Sequence, residues 1–302
     1  MLFERKKALI LLNGAAGTGK AGANTWMIIK KFAEKGYESI VYPIIPGTDL
    51  VSETLLDEYE GRADIVLCSG GDGTLNHIIQ KVMKMTVKPR IAYLPAGSTN
   101  DFARALGIPI EFEKALDVAL QGKVFSYDVG SLNGKFFNYI AAFGAFTAIS
   151  YATDQQLKNI LGHAAYIVSA VSDLYENMHY SRHMKIECDD FHLEDDYIFG
   201  AVCNSAYVAG FTFFKNMDVS LNDGQMEILL IKTPKTLDDV QGILNAIQRG
   251  TMDHPFITFK HISNVKITST EGTSWTVDGE FGGCYKEVEI QVNRQAISIM
   301  RI

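Results

Sequence analysis

Four times between Ala8 and Leu94 a short apolar run is followed by residues at helical spacing, and this alternation restricts the fold more than any other feature of the chain. The runs are residues 8–12, 39–44, 65–69 and 91–94. The first is unbroken, as expected of a strand buried on both faces. Asn24 can cap a helix carrying Trp26, Ile29 and Phe32 on one face. Residues 52–59 and 75–83 predict two more helices, the second with Leu75, Ile78, Ile79 and Val82 at i, i+3, i+4 and i+7. Repeated βα units predict a parallel sheet with helices on its faces, and ligand sites beyond the C-terminal ends of its strands.

From about Val124 strand-like runs dominate: 125–132, 136–143, 184–188, 197–204, 226–232, 265–268, 274–277, 288–292 and 297–302. Asn133-Gly134 is a two-residue hairpin signal between the first two. Helices are expected at 164–177 and Leu237–Arg249, and the acid-rich segment 187–196 reads as a solvated hairpin loop. The chain is therefore expected to hold an α/β domain over 1–123 and an antiparallel β-sandwich domain over 124–290.

At 302 residues the chain is long enough for two domains that bury their own cores. Its net charge of −7 argues against nucleic acid as a partner, since phosphate backbones are held by excess Lys and Arg. Cys68, Cys188, Cys203 and Cys284 share no metal or redox spacing, the pattern of a reduced, cytoplasmic protein. The N-terminal residues lack a signal-peptide pattern, and no stretch reaches the ~18 apolar residues of a membrane span. Any membrane contact is expected to be peripheral.

Three glycine loops follow strands. The first, Asn13-Gly14-Ala15-Ala16-Gly17-Thr18-Gly19-Lys20-Ala21-Gly22, fits G-x-x-x-x-G-K, but Ala21 stands where a P-loop needs a hydroxyl for its magnesium. Gly17, Gly19 and Gly22 fit G-x-G-x-x-G, but no acid ends the second strand to complete a dinucleotide site. What survives is a loop whose backbone N–H groups can cradle phosphate. The second is Ser69-Gly70-Gly71-Asp72-Gly73-Thr74-Leu75-Asn76. Its glycines let backbone approach a phosphate chain, and Thr74 or Asn76 can start the next helix. An acid within an anion-binding loop is repulsive unless a cation bridges it to the phosphates, so Asp72 implies Mg²⁺. The third, Pro95-Ala96-Gly97-Ser98-Thr99-Asn100-Asp101-Phe102-Ala103-Arg104, offers two hydroxyls and a helix cap at Asn100 or Asp101.

The second and third loops together resemble the catalytic domain of the diacylglycerol kinase and sphingosine kinase superfamily, and the soluble bacterial lipid kinases above all. The first motif alone is shared with NAD kinases and phosphofructokinases; Asn100-Asp101-Phe102-Ala103-Arg104 separates lipid kinases from these. Tyr127-Asp128-Val129-Gly130, Leu221-Asn222-Asp223-Gly224 and Val277-Asp278-Gly279-Glu280 match further landmarks. The resemblance implies an NAD-kinase/phosphofructokinase-like first domain, to which the segment from about 290 to 302 returns, and a nucleotide cleft beside a β-sandwich. The first loop departs from the family's Asn-Pro-x-x-Gly, Ile44 replaces a threonine that touches nucleotide, and Ser98 replaces another threonine while keeping its hydroxyl.

The activity so implied is transfer of the ATP γ-phosphoryl group to a lipid hydroxyl, most simply that of diacylglycerol. The lipid would be met at a membrane surface. Asn13, Gly14, Ala15, Ala16, Gly17, Gly70, Gly71, Asp72, Gly73, Thr74, Leu75, Asn76 and Ser98 are expected to line the ATP site, with Asp72 on Mg²⁺. Glu280 is expected as the base, with Asp278 two positions away on the same strand face to orient it or the metal. A second Mg²⁺ is implied at the Asp223 side chain and the carbonyls of Ser220 and Gln225. Lys81, Lys84, Lys88 and Arg90 read first as a solvated face, and second as contacts for anionic headgroups. Homodimers are common in the family, so a homodimer is one expected state. An NAD-kinase-like enzyme acting on a soluble substrate and an inactive nucleotide-binding regulator are the alternatives.

Overall fold

The computed structural model describes residues 5–14, 24–97, 100–144, 181–204, 207–208, 211–212, 219–249 and 251–302. The helix expected at 164–177 lies outside them. The chain divides into two compact units, residues 1–128 with 295–302, and residues 129–294.

In the first unit β1 (Lys6–Leu12), β2 (Tyr37–Pro43), β3 (Ile65–Gly70) and β4 (Arg90–Pro95) pair in parallel in the order β4-β3-β1-β2. Between them run α1 (Thr25–Glu34), α2 (Ser52–Glu58) and α3 (Asp72–Lys84), followed by α4 (Asp101–Ala105) and α5 (Phe112–Gln121). Residues 8–11 of β1 and 66–68 of β3 are fully buried, which is why these strands read as unbroken apolar runs. α3 buries Leu75, Ile78, Ile79 and Val82, the stripe its spacing predicts. α1 differs. It buries Ile28 and Phe32, while Trp26 is 73% exposed, and Asn24 makes no side-chain cap bond. Helical spacing allowed either stripe, and packing chose the one centred on Ile28.

β5 (Lys123–Leu132) starts in the first unit and ends in the second, and β15 (Glu280–Arg301) does the reverse. In the first unit Ile299 of β15 pairs in parallel with Ile91, and Lys88 Nζ donates to the Ala296 carbonyl at 3.1 Å. Lys81 is paired with Asp57. Two of the four basic residues considered for headgroups are thus engaged within the unit, and burial holds the Lys88 ammonium below its ordinary pKa.

The second unit is antiparallel. It holds β6 (Lys135–Phe137), β7 (Ile140–Gly144), β8 (Arg182–Glu187), β9 (His192–Cys203), β10 (Tyr207–Val208), β11 (Phe211–Thr212), β12 (Met226–Lys232), α6 (Leu237–Arg249), β13 (Ile257–Ile262) and β14 (Asn264–Val277). The main path is β13-β12-β9-β7-β14-β15. β7 and β8 fill successive halves of one position, each pairing with both β9 and β14. Leu132 and Phe137 near one end of the strand path share a core with Met226 and Ile262 at the other, so the sheet curls about a single cluster that includes Trp275 and Phe143. A second cluster, with Ile198, Leu229 and Ile231, packs with Val240 and Ile243 of α6.

The Asn133-Gly134 hairpin forms as its sequence predicts, with both residues at positive φ and Leu132 opposite Lys135. The acid-rich segment is mostly strand, not loop. β8 and β9 close through a short turn in which Cys188 N donates to the Phe191 carbonyl. Cross-strand partners offset its charge: His183 bonds Asp196 and Glu194, and Lys232 pairs with Asp195.

Candidate active site

In the first unit the glycines of the second and third loops are needed for contacts between backbones. A Cβ on Gly71 would sit 3.2 Å from Gly97 Cα, and one on Gly97 would sit 2.8 Å from Gly71 Cα. Two βα loops thus touch at a glycine seam. A Cβ on Gly70 would collide with Thr74, 2.6 Å from its Cβ. Gly73 is different: a Cβ there meets nothing within 4 Å. Helix α3 begins at Asp72, earlier than the expected Thr74 or Asn76, and so points its first N–H groups out of this turn.

Polar side chains tie the three loops together. Asn13 Nδ2 donates to Thr74 Oγ1 at 2.8 Å, and Asn13 N donates to the Ser69 carbonyl. Ala96 N donates to the Gly70 carbonyl at 2.8 Å. Asp72 Oδ2 accepts from Asp101 N at 3.0 Å, so the start of α4 is capped by a residue of the neighbouring loop. Asn100, expected as a cap, instead bonds backwards. Its Oδ1 accepts from Gly97 N and its Nδ2 donates to the Gly97 carbonyl, both at 2.8 Å. The residue is buried and left-handed (φ 49°), a conformation Asn tolerates better than most. Neither interaction has a local signal strong enough to be read beforehand.

Asp72 is half-buried, and its charge reaches into the sheet. Cys68 and Tyr93 are cross-strand partners. Burial first, and the Asp72 carboxylate second, raise the pKa of both. A fixed negative charge at the mouth of a helix N-terminus, beside an open Gly73, suits phosphates accompanied by a divalent cation. Gly14, Leu75 and Asn76 lie in the same loops, Leu75 and Asn76 buried under the turn. Ala15, Ala16, Gly17 and Ser98 lie outside the described residues.

In the second unit Asp278 and Glu280 do not share a strand face. Val277 and Glu280 are the last pair of the β14–β15 ladder, and Asp278-Gly279 is a two-residue turn with both φ positive, 48° and 85°. Glu280 is exposed, and its side chain makes no hydrogen bond or ion pair with a described residue. Asp278 turns inward. Its carboxylate accepts from Asn138 N (2.7 Å), Tyr139 N (3.1 Å), Ile140 N (3.1 Å) and Asn138 Nδ2 (3.3 Å). Burial pushes its pKa up to about 6 against these bonds. These amides explain why the expected strand 136–143 is broken into β6 and β7: residues 138–139 bond Asp278 and leave the ladder.

Ser220, Asp223 and Gln225 lie on one turn before β12. Asp223 Oδ1 accepts from Gln225 N at 2.9 Å, and Gly224 is left-handed (φ 86°) with the Arg294 stem against it. Among the described residues no three His, Cys, Asp or Glu side chains gather as a metal cage. A cation at this turn would rest on Asp223 and backbone carbonyls.

Residues 7–132 match the family model of the diacylglycerol kinase catalytic domain. That segment runs from the second residue of β1 to the end of β5 and includes all three glycine loops. Over that segment the chain is similar to a class of phosphotransferases that act on a lipid alcohol. It is similar to the diacylglycerol kinase of Bacillus subtilis (strain 168), 29% identical over 282 residues covering 92% of this chain and 91% of the relative. A diacylglycerol kinase of Staphylococcus saprophyticus is 28% identical over 280 residues, covering 92% and 90%. In fold it matches the crystal structure of a diacylglycerol kinase from Bacillus anthracis str. Sterne, with TM-score 0.75, 20% identity, and 99% and 98% of the two chains covered.

Proposed function

We propose that the protein is an ATP- and Mg²⁺-dependent lipid kinase that converts diacylglycerol to phosphatidic acid, working at a membrane surface from the cytoplasmic side. The observation that carries this reading is the Gly71–Gly97 seam with Asp72 bonded across it. The seam joins the phosphate-type loop to the Asn100–Arg104 motif. The relatives named diacylglycerol kinase support the choice of acceptor. Among the described residues no helix is long and apolar enough to cross a membrane.

In the proposed site, Gly70 to Asn76 with Asn13, Gly14 and the first-loop residues Ala15, Ala16 and Gly17 hold the nucleotide phosphates through backbone N–H groups, and Ser98 adds a hydroxyl. Asp72 holds the cation that neutralises the phosphates. The lipid hydroxyl oxygen bonds to the γ-phosphorus as the bond to the ADP oxygen breaks, and the hydroxyl proton passes to Glu280. A second cation on Asp223 and the carbonyls of Ser220 and Gln225 belongs to the same reading. It predicts that Asp223→Asn raises the Mg²⁺ concentration needed for half-maximal activity.

The test incubates purified protein with labelled ATP, Mg²⁺ and mixed micelles of diacylglycerol, a sphingoid base or other glycerolipids, with soluble NAD as a parallel arm. Transfer to diacylglycerol is expected. Folded protein that labels no lipid, or labels NAD, would overturn the proposal.

A further inference from the structure

The Asp278 carboxylate accepts four hydrogen bonds, and this bonding conflicts with a role in taking a proton from substrate. A carboxylate has about four acceptor positions, and four N–H groups from residues 138–140 converge on this one. The bonding is reciprocal, since Asp278 N donates to the Ile140 carbonyl at 2.8 Å. The clamped segment is also held from its other side, where Asn204 N donates to the Tyr139 carbonyl at 3.0 Å. Gly279 completes the arrangement. A Cβ there would lie 3.8 Å from the Tyr139 hydroxyl.

The backbone supplies a second observation. Asp278 is a non-glycine residue at φ 48°, followed by Gly279 at φ 85°. Such a conformation persists when its surroundings over-determine it, and the clamp on 138–140 does so. Glu280 is the first residue beyond the turn, so the direction in which it leaves is set by dihedrals that the clamp holds.

We propose that Asp278, with Asn138, is a positioning residue: it fixes the 278–279 turn against residues 138–140 and thereby the placement of Glu280. The proposal rests on Glu280 being the proton acceptor of the proposed reaction. Burial raises the pKa of this carboxylate to about 6, and its acceptor positions are taken up by four structural N–H groups.

The test is a double-mutant cycle combined with residue-resolved amide exchange. A small displacement of a catalytic group costs up to roughly 100-fold in rate, so Asp278→Asn is expected to lower kcat about 10- to 100-fold with the KM for ATP unchanged. In a Glu280→Gln background the same change is expected to alter kcat by less than about 2-fold, because nothing remains to be positioned. Asn138→Ala, which removes one donor only, is expected to act in the same direction, more weakly, and also to lose its effect in Glu280→Gln. It carries the cycle if Asp278→Asn does not fold.

Exchange at the Tyr139 and Ile140 amides is expected to accelerate in Asp278→Asn, while residues 9–11 of β1 stay protected. Full additivity with Glu280→Gln, an unchanged kcat, or unchanged exchange at 139–140 would each overturn the proposal. The exchange measurement needs no substrate. A wild-type protein that phosphorylates no lipid would therefore sink the functional reading alone.

Discussion

Gly73 separates the packing role of the glycine loop from its binding role. It lies in the first turn of α3 outside the left-handed region, and a Cβ there meets nothing within 4 Å. Replacing such a glycine by alanine leaves the fold unstrained and reduces the freedom of the unfolded chain. The expected stabilisation is about 0.4–1 kcal/mol, or a Tm higher by about 1–4 °C for a unit of this size. If the open side of Gly73 is where nucleotide phosphate approaches, the same methyl group overpacks the complex at a cost of about 1–3 kcal/mol. That corresponds to ATP binding weakened by roughly 5- to 150-fold. Scanning calorimetry of the free protein and titration calorimetry with Mg²⁺-ATP measure the two effects on one variant. A Gly73→Ala protein that is less stable than wild type would show that the space beside Gly73 is filled. One that binds ATP with unchanged affinity would show that phosphate does not approach there.

Gly97→Ala should behave oppositely in stability. With Gly71 Cα at 2.8 Å and Asn100 Oδ1 at 3.0 Å from the new Cβ, the seam must open, and thermal unfolding should report a loss of about 1–3 kcal/mol; an unchanged Tm would deny the backbone contact. Asn13→Ala removes the half-buried bond to Thr74 and should cost about 0.5–1.5 kcal/mol, read as a lower denaturant midpoint at constant slope. Asp278 supplies a pH test. Its folded pKa is raised to about 6, so the folded state takes up a proton before the unfolded state does, and this group's contribution to stability grows as pH falls through 6. The stability advantage of wild type over Asp278→Asn should therefore widen between pH 7.5 and pH 5; a narrowing would mean that the four hydrogen bonds outweigh burial.

Much of the first unit could be read from the chain because its signals are local. Apolar runs and helical spacing located β1, β3, β4 and α3, and the loop between β3 and α3 announced itself by composition. In the second unit Asn133-Gly134 predicted its hairpin, and Leu237–Arg249 its helix, for the same reason. Errors arose where local patterns had two solutions. Trp26, Ile29 and Phe32 and the stripe through Ile28 are both helical faces, and only packing on the sheet distinguishes them. Asp278 and Glu280, two apart, would share a face on a strand, but the turn between Val277 and Glu280 places them apart.

The sequence by itself determined the order of elements, the residue types at the strand ends and the acid in the glycine loop, since each depends on neighbours within one turn of chain. The tertiary structure decided what those glycines and acids do. Gly71 is required by Gly97, Asp72 caps a helix 29 residues away, and Asp278 binds amides some 140 residues earlier. The reason is that hydrogen bonding and steric exclusion act at about 3 Å in space, and chain closure brings together groups whose separation in sequence carries no record of that contact.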